Sequence, residues 1–292
     1  MKGKPFIKWV GGKGQLLSQL DELLPSSFAS IPNITYIEPF VGGGAMLFYM
    51  LQTYPNIQRV IINDLNQPLI TCYQIIRDRP QELISELSRI QTIYLPLSEP
   101  QRKEFYLEIR SKFNTRRLDD VSMSALLIFL NRTCFNGLYR ENRSGHFNVP
   151  FGKYTSPTIC DEVTIMEDSR LLQKTEILCG DYQQTRQYIQ GNTFFYFDPP
   201  YRPLNTTSSF NDYTKKKFND EEQKRLKDFC DEINNARCNF MLSNSACQDG
   251  FFEKLYQGYD IQRVLASRSI NANPDKRGKL TELLIRNYNN VI

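Results

Sequence analysis

The stretch that decides the fold is Asn192-Thr193-Phe194-Phe195-Tyr196-Phe197-Asp198-Pro199-Pro200-Tyr201, an apolar and aromatic run ending in a carboxylate, two prolines and a tyrosine. β-Branched and aromatic residues favour a strand. The two prolines cannot donate ladder hydrogen bonds, so the strand must end just after Asp198. In an open α/β sheet the ligand crevice lies at the carboxyl ends of the strands. The stretch therefore predicts a buried strand that delivers functional side chains at its carboxyl end.

A second strand lies well upstream and leads into a glycine turn. Residues 35–40 read as a strand, residues 41–45 as the turn and residues 46–51 as a helix, which together begin a Rossmann-like unit. Glycines in this place let the backbone approach a ligand at a helix amino terminus. The next strand, 59–64, ends in Asp64 about 20 residues after the turn, where such folds hold a ribose hydroxyl. A strand-terminal Asp is also a common turn or helix cap, but the spacing favours the ribose role.

The alternation of strands and helices resumes in the second half of the chain. Residues 176–181 predict a strand that ends in Asp181. Beyond the stretch that opened this section, the pattern predicts a helix at 220–234 and strands at 239–243, 261–265 and 282–285. A polar segment, 204–217, and a basic segment, 267–279, predict flexible loops, the first of them beside the site.

The opening segment, residues 6–17, combines a glycine-rich loop with leucines at helical spacing. The run Gly12-Lys13-Gly14 lacks the full phosphate-loop spacing, and Gln15 follows where Ser or Thr is required, so an ATP-binding phosphate loop is excluded. Two interpretations remain on these residues alone. The segment is either the ordinary beginning of a helix, which the residues favour, or a loop that contacts a ligand.

Residues 67–166 interrupt the strand pattern and predict an inserted domain. Helical patterns at 69–76, 81–93, 104–113 and 122–130 are followed by a tract, 131–154, rich in Arg, Asn and Gly. Asn136-Gly137 with alternating flanks suggests a β-hairpin. Basic side chains with interleaved Phe and Tyr are typical of a nucleic-acid surface, and a solvated hairpin with incidental arginines is the equal alternative.

Composition limits the chemistry. The 292 residues suit one large domain or two unequal ones, and the net charge of +4 is too small to establish a nucleic-acid partner by itself. No apolar run approaches the roughly 20 residues that span a bilayer, and the amino terminus lacks a signal core. Seven cysteines with scattered spacing predict free thiols in the cytoplasm. A single histidine, His146, leaves no material for a zinc site or a serine triad.

The glycine turn, Asp64, Asp181 and Asp198-Pro199-Pro200-Tyr201 together suit an adenosine-containing cofactor beside an acceptor. Carboxylates accept hydrogen bonds from ribose hydroxyls and from the adenine amine, and without a hydride-type fingerprint S-adenosylmethionine fits better than a nicotinamide. The Asp198 carboxylate and the Pro199 carbonyl can accept both protons of an exocyclic amine, which turns its lone pair toward a methyl group. Tyr201 offers a stacking face, worth about 1–3 kcal/mol. A target within duplex must first be flipped out of the stack.

At these residues the chain resembles the Dam-type DNA adenine-N6 methyltransferases that act on GATC, and the resemblance covers nearly the whole length. The motifs that carry it are 8–13 (KWVGGK), 38–44 (EPFVGGG), 63–66 (NDLN), 135–140 (FNGLYR), 147–154 (FNVPFGKY) and 198–201 (DPPY). Asp-Pro-Pro-Tyr alone is only moderately specific, because enzymes that methylate RNA guanine amines carry it too. The motifs in this order are highly specific.

The resemblance implies a set of site residues. Cofactor-binding positions are Trp9, Lys13, Phe40, Gly42, Gly43, Asp64, Asp181, Tyr182 and Asp198, and catalytic positions are Asp198, Pro199, Pro200 and Tyr201. Arg140 matches the arginine that reads a guanine, with Asn136, Leu138, Pro150 and Tyr154 on the same hairpin and Lys8 as a further base contact. Arg132, Asn142 and Asn148 match phosphate-side contacts, and Phe135 stands where a tyrosine is common and keeps a packing or intercalating role.

The expected fold is a Rossmann-like, S-adenosylmethionine-dependent methyltransferase domain, residues 1–66 and 167–292, with a mostly helical DNA-recognition domain inserted at 67–166 and carrying a β-hairpin. The expected partner is double-stranded DNA, without membrane or metal, and the expected state is a monomer, with a dimer on DNA as the alternative. Two other functions are an RNA methyltransferase, which the duplex-reading hairpin disfavours, and a DNA-binding regulator that has lost catalysis, which the intact Asp-Pro-Pro-Tyr and glycine turn disfavour.

Overall fold

A mostly parallel sheet forms the centre of the molecule. The computed structural model describes residues 3–9, 11–203, 218–267 and 279–289. Within them the strands are β1 (Ile34–Glu38), β2 (Ile57–Asp64), β3 (Thr175–Cys179), β4 (Thr193–Phe197), β5 (Asn239–Ser245), β6 (Asp260–Ser267) and β7 (Lys279–Arg286). Their order in the sheet is β3-β2-β1-β4-β5-β7-β6, and β7 runs antiparallel to β5 and to β6 on its two sides. Every strand predicted from the sequence is confirmed.

Helices cover the sheet. They are α1 (Leu17–Glu22), α2 (Ala45–Thr53), α3 (Gln67–Asp78), α4 (Pro80–Tyr94), α5 (Glu99–Thr115), α6 (Asp120–Thr133), α7 (Glu162–Leu172), α8 (Asp220–Asn235) and α9 (Phe251–Leu255). Every residue of β4 is buried, because the strand lies at the middle of the sheet between β1 and β5. Its side chains alternate between two hydrophobic clusters, with Phe194 and Tyr196 in one and Phe195 and Phe197 in the other. The opening stretch is therefore a central buried strand, as predicted.

Helices α3 to α7 lie in the long connection between β2 and β3. Leu69 and Tyr73 of α3 lie in the same hydrophobic cluster as Ile62 of β2 and Leu127 of α6. The connection therefore shares its core with one face of the sheet. The predicted boundary between residues 166 and 167 falls inside α7, whose amino terminus is capped by the Asp161 side chain. The division into two domains stays a prediction.

The arginine-rich tract folds back on itself, but its turn lies elsewhere than Asn136-Gly137. Those two residues lie in a short 3-10 turn, Phe135–Gly137. The two arms meet at isolated bridges, Cys134 with Phe151 and Glu141 with Phe147. The reversal lies between Asn142 and His146, where the Asn142 side chain accepts from two backbone amides and Gly145 takes a φ of +77°. An Asx turn with a glycine closes the hairpin, which is why the Asn-Gly signal misplaced it.

The two predicted loops fall largely outside the described residues. Segment 204–217 lies wholly outside them, and of 267–279 only the end residues are described, where Ser267 of β6 pairs with Lys279 of β7. All seven cysteines are free. No helix in the described ranges has the length and apolar character that crossing a bilayer requires.

Candidate functional site

The carboxyl ends of the central parallel strands meet at one edge of the sheet. Glu38 ends β1, Asp64 ends β2 and Asp198 follows β4 directly. Strand order places β1 between β2 and β4, so these carboxylates flank the turn that follows β1. The opening loop and β7 contribute further side chains to the same edge. The edge therefore collects residues from distant parts of the sequence.

The glycine turn lies against the only tryptophan of the chain. A Cβ on Gly42 would lie 2.9 Å from the Trp9 Cδ1 atom, and one on Gly43 would lie 3.0 Å from the Trp9 Cβ atom. Gly42 also has a φ of +49° and Gly44 a φ of +74°. Both backbone conformation and close approach require glycine in this turn. The opening loop, read from its residues alone as an ordinary helix start, is thus packed onto the predicted ligand turn.

Asp64 holds this turn in place. One carboxylate oxygen accepts from the Gly42 amide at 3.0 Å and the other from the Asn66 amide at 2.9 Å. Burial raises the pKa of the Asp64 carboxyl, and the backbone amides oppose that rise. Each oxygen keeps a second lone pair, so a capping role and the predicted ribose contact are compatible. The first turn of α2 has no side-chain cap at Gly44, which leaves backbone amides suited to a carboxylate.

Asp198 lies in an ion-pair network. The Lys13 ammonium is 3.0 Å from the Asp198 carboxylate and 3.4 Å from that of Glu282, and it donates to the Gly11 carbonyl at 3.1 Å. The Tyr201 hydroxyl donates to Glu282 at 2.7 Å, and the ammonium lies 4.4 Å from the centre of the Tyr201 ring. Lys13 is only 4% exposed. The structure thus brings Lys13, Asp198 and Tyr201 together, and adds Glu282.

Burial raises the pKa of several acids at this edge. Burial raises the pKa of Asp198, Glu282 raises it further and Lys13 opposes the rise. Glu38 is buried, accepts from the Tyr36 hydroxyl at 2.6 Å and has a pKa raised to about 8, chiefly by desolvation. Clustered carboxyls with perturbed pKa values in a strand-end crevice are typical of a functional site.

Asp181 and Tyr182 lie beyond β3, at the other side of the glycine turn. Tyr182 packs against Phe40 with ring centroids 5.1 Å apart. Asp181 is exposed and forms two hydrogen bonds of 2.9 Å with the Arg225 guanidinium of α8, which also lies 5.1 Å from the Tyr182 ring centre. The structure places Phe40, Tyr182 and Asp181 side by side. The sequence did not predict Arg225 as a site residue, because it belongs to no motif and lies on α8, far along the chain from Asp181.

The segment that leaves the Asp-Pro-Pro-Tyr motif is firmly anchored. The Pro200 carbonyl accepts from the Gln223 side chain at 3.2 Å. Arg202 binds Asp220 and Asp249 at 2.7 and 2.8 Å, and its carbonyl accepts from Ser245. These contacts tie the motif to α8 and to the end of β5. Asp198 therefore lies between the buried strand β4 and a following segment that side-chain contacts hold in place.

Asn131 of α6 joins the opening loop to the arginine-rich tract. Its side chain accepts from the Lys8 amide and donates to the carbonyls of Lys8 and Gly137, each at 2.9 Å. The Lys8 ammonium lies 5.5 Å from the centre of the Tyr154 ring. The predicted base-contacting residues Lys8 and Tyr154 are therefore neighbours. Asn131 is a buried side chain that sequence patterns did not single out.

The hairpin presents Arg140 to solvent with its orientation held. The Arg140 Nε atom donates to the Asn148 side-chain oxygen at 2.7 Å, and Nη2 donates to the Asn148 carbonyl at 3.2 Å. Phe135 is 49% exposed beside Asn136, which has a φ of +57°. Of the remaining predicted residues, Pro150 accepts from the Phe135 amide, Asn142 caps the hairpin turn and Leu138 packs against the core.

Arg132 does not join this surface. Its side chain is half-buried, donates to the Phe6 carbonyl at 2.8 Å and borders a small cavity with Phe6, Ile128, Ile159 and Asp161. Burial lowers the pKa of its guanidinium. Arg132 thus anchors the opening segment to α6, and the phosphate contact implied for it stays a prediction.

The mixed α/β sheet and its strand-end crevice are consistent with a methyltransferase, and comparison with known proteins gives the class. Residues 9–270 match the family described as D12 class N6 adenine-specific DNA methyltransferase. The chain belongs to this family and is an adenine-specific DNA methyltransferase.

The chain aligns with curated relatives over nearly the full length of both sequences. The chain is 49% identical to the type II methyltransferase M.MjaIII of Methanocaldococcus jannaschii, covering 99% of this chain and 100% of that protein. It is 37% identical to the type II methyltransferase M1.LlaDCHI of Lactococcus lactis, covering 98% and 96%. It is 34% identical to the DNA adenine methylase of Vibrio cholerae, covering 97% and 95%. DNA as substrate and catalysis as function are therefore confirmed over the RNA enzyme and the inactive regulator.

Proposed function

We propose that the chain transfers a methyl group from S-adenosylmethionine to adenine N6 in GATC, after the adenine has been flipped out of double-stranded DNA. The observation that carries the proposal is that the Asp198 carboxylate and the Tyr201 ring both lie against the Lys13 ammonium, at 3.0 and 4.4 Å. They do so at the sheet edge that also holds the glycine turn. When bound, S-adenosylmethionine supplies the electrophilic methyl group. A methyl donor of this kind is implied by the family.

The chain's own residues prepare the amine. The Asp198 carboxylate and the Pro199 carbonyl accept its two protons as hydrogen bonds, so the nitrogen lone pair faces the methyl group. Tyr201 stacks on the purine ring. With the methyl donor bound, the Asp198 carboxylate would accept the proton that the amine releases on methylation. Gly42, Gly43, Asp64 and the uncapped start of α2 are proposed to hold the cofactor, with Trp9, Phe40, Asp181 and Tyr182 at its adenosine.

The target sequence is read by the hairpin. An exposed arginine held by Asn148 suits bidentate recognition of guanine O6 and N7 in the major groove. The Phe135 side chain is half exposed at the base of the hairpin. It suits insertion into the base stack next to the gap that the flipped adenine leaves. The Lys8 ammonium lies 5.5 Å from the centre of the Tyr154 ring, so these two proposed base contacts are neighbours. These placements support a recognition surface continuous with the catalytic edge through the Asn131 bridge.

Replacement of the catalytic carboxylate tests the reaction. Asp198→Ala should lower methyl transfer by at least 100-fold, because the amine loses an aligned acceptor, while thermal unfolding stays cooperative. The target is tested by modification-sensitive sequencing of DNA from cells that express the wild type or Asp198→Ala. Methyladenine in GATC with the wild type only is the expected result. Methylation in another sequence would overturn the assignment of GATC, and near-normal turnover of the variant would overturn the role of Asp198.

A further inference from the structure

Glu282 enters the catalytic edge from the strand that sequence motifs do not mark. It lies on β7, opposite Ser245 of β5 and Val264 of β6, and beyond the residues that match the family. Its side chain is 14% exposed. One of its oxygens accepts from the Tyr201 hydroxyl at 2.7 Å and lies 3.4 Å from the Lys13 ammonium. Removing a carboxylate from water costs free energy unless the group is paired, and Glu282 is paired with two members of the site.

We propose that Glu282 is a positioning residue for methyl transfer, which holds Lys13 and Tyr201 so that the Asp198 carboxylate is available to the substrate amine. The inference rests on the proposed role of Asp198 as acceptor. An ammonium has three N–H donors, and here they face Gly11, Asp198 and Glu282. When an amine approaches Asp198, Lys13 keeps Gly11 and Glu282 as partners and remains satisfied without Asp198.

Without Glu282 the buried ammonium has one carboxylate only. An unpaired buried charge is costly, so Lys13 then binds Asp198 more tightly and competes with the substrate for the same oxygen. By giving Lys13 a second carboxylate partner, Glu282 reduces the competition of Lys13 with the substrate amine for Asp198.

The second contact fixes the stacking surface. The Tyr201 ring is held at its hydroxyl by Glu282 and on its face by Lys13, 4.4 Å away. A ring held at two points presents one plane to a purine, and displacement of positioning groups by about 1 Å costs about 100-fold in rate. Glu282 thus sets both the charge and the shape of the acceptor pocket.

The groups that face Asp198 determine what a pH profile reports. Within the described residues they are Lys13 from the opening loop, Glu38 of β1, Tyr196 of β4, Tyr201 after β4 and Glu282 of β7. Protonation of Asp198 removes an acceptor, so kcat falls as pH falls through its pKa. The Glu282 charge raises that pKa. Glu282→Gln should therefore move the acidic limb of the kcat profile to lower pH.

The experiment measures kcat, KM for a GATC duplex and the pH profile of kcat for the full chain. Glu282→Gln should lower kcat about 10- to 100-fold, shift the acidic limb downward and leave the DNA affinity within about twofold. Glu176→Gln, the same change in the half-exposed partner of Arg59 on β3, is the matched control and should leave kcat and the limb unchanged. An unmoved limb in Glu282→Gln, or an equal shift in the control, overturns the inference.

Glu282→Asp keeps the test decisive if the Gln variant does not fold. It retains the charge but withdraws the carboxylate by one methylene, so kcat should fall while the acidic limb stays in place. Wild-type kcat in this variant would overturn the positioning role. Failure of the underlying proposal looks different, because Asp198→Ala would then remain active whatever Glu282 does.

Discussion

The guanidinium of Arg140, the side chain proposed to read guanine, is oriented by one neighbouring residue, Asn148. An arginine reads guanine through two parallel donors, and its fork must be oriented before the duplex arrives. Asn148 binds both Nε and Nη2 of Arg140 from the opposite arm of the hairpin. The family resemblance implied a phosphate contact for Asn148. The geometry adds that Asn148 supports the Arg140 guanidinium through its side-chain oxygen. A phosphate contact would use the side-chain NH2 group, so the two roles are compatible.

Substitution of Arg140 should change specificity more than overall binding. Arg140→Ala should relax discrimination at one base pair of the site by about 1–3 kcal/mol, because a bidentate contact to one base is lost. Asn148→Ala should act in the same direction and more weakly, because the guanidinium remains without its support. The measurement is kcat/KM on duplexes that differ from GATC at single positions.

Arg143 on the same hairpin provides the control. Arg143→Ala removes an exposed positive charge of the same hairpin and should weaken binding to all duplexes alike, with a shallower salt dependence. If Arg140→Ala also weakened binding to all duplexes equally, Arg140 would be a phosphate contact and not a base contact.

The glycine turn between β1 and α2 is the element that links the fold to the proposed cofactor site. Asp64 accepts a hydrogen bond from the Gly42 amide, the Tyr73 hydroxyl donates one to the Gly42 carbonyl, and Trp9 packs against Gly42 and Gly43. Its shape therefore depends on three parts of the chain at once.

Gly42→Ala should damage this element. The added Cβ meets the Trp9 ring at 2.9 Å in a backbone of positive φ, so we expect a loss of about 1–3 kcal/mol in stability and weaker binding of S-adenosylmethionine. Calorimetric titration and chemical denaturation measure the two effects. Gly14→Ala is the control, because nothing lies within 4 Å of its added Cβ. Unchanged cofactor affinity in Gly42→Ala would contradict a cofactor role for the turn.

At the scale of the whole molecule, a buried acid couples the opening segment to α7. Asp168 is fully buried, accepts from the Lys4 amide at 3.1 Å and has a pKa raised to about 8, chiefly by desolvation. Its folded pKa lies above the unfolded value, so the native state binds the proton more tightly. Its contribution to stability is therefore complete below about pH 4 and is lost as pH rises toward 8.

Asp168→Asn should flatten this part of the stability profile. A shift of one pKa unit corresponds to about 1.4 kcal/mol, so the variant should lose less stability than the wild type between pH 5 and pH 8. Urea denaturation at several pH values measures it. Glu162→Gln, an exposed position of the same helix, should reproduce the wild-type slope. A wild-type slope in Asp168→Asn would assign the pH dependence to other groups, of which Glu38 is the first candidate.

The sequence predicted the strands and the residues at their ends because both depend on local patterns. Asp64 and Asp198 each follow an apolar run, and parallel strands bring such ends to one edge. Glu282 and Arg225 escaped prediction because they reach the edge from an antiparallel strand and a distant helix, which have no motif. The inward position of Arg132 depends on which face of α6 meets the opening segment. Periodicity alone does not show whether a helical arginine caps a neighbouring carbonyl.

Trp9 is the only tryptophan in the chain, and its surroundings give the molecule a built-in optical probe. Its ring stacks on Tyr139 of the hairpin with centroids 5.1 Å apart and touches Gly42 of the turn. Indole emission depends on what packs against the ring, so one fluorophore faces both the proposed cofactor turn and the proposed recognition hairpin. Unlabelled protein can therefore report, in a single emission spectrum, on binding at the proposed cofactor turn and at the proposed recognition hairpin.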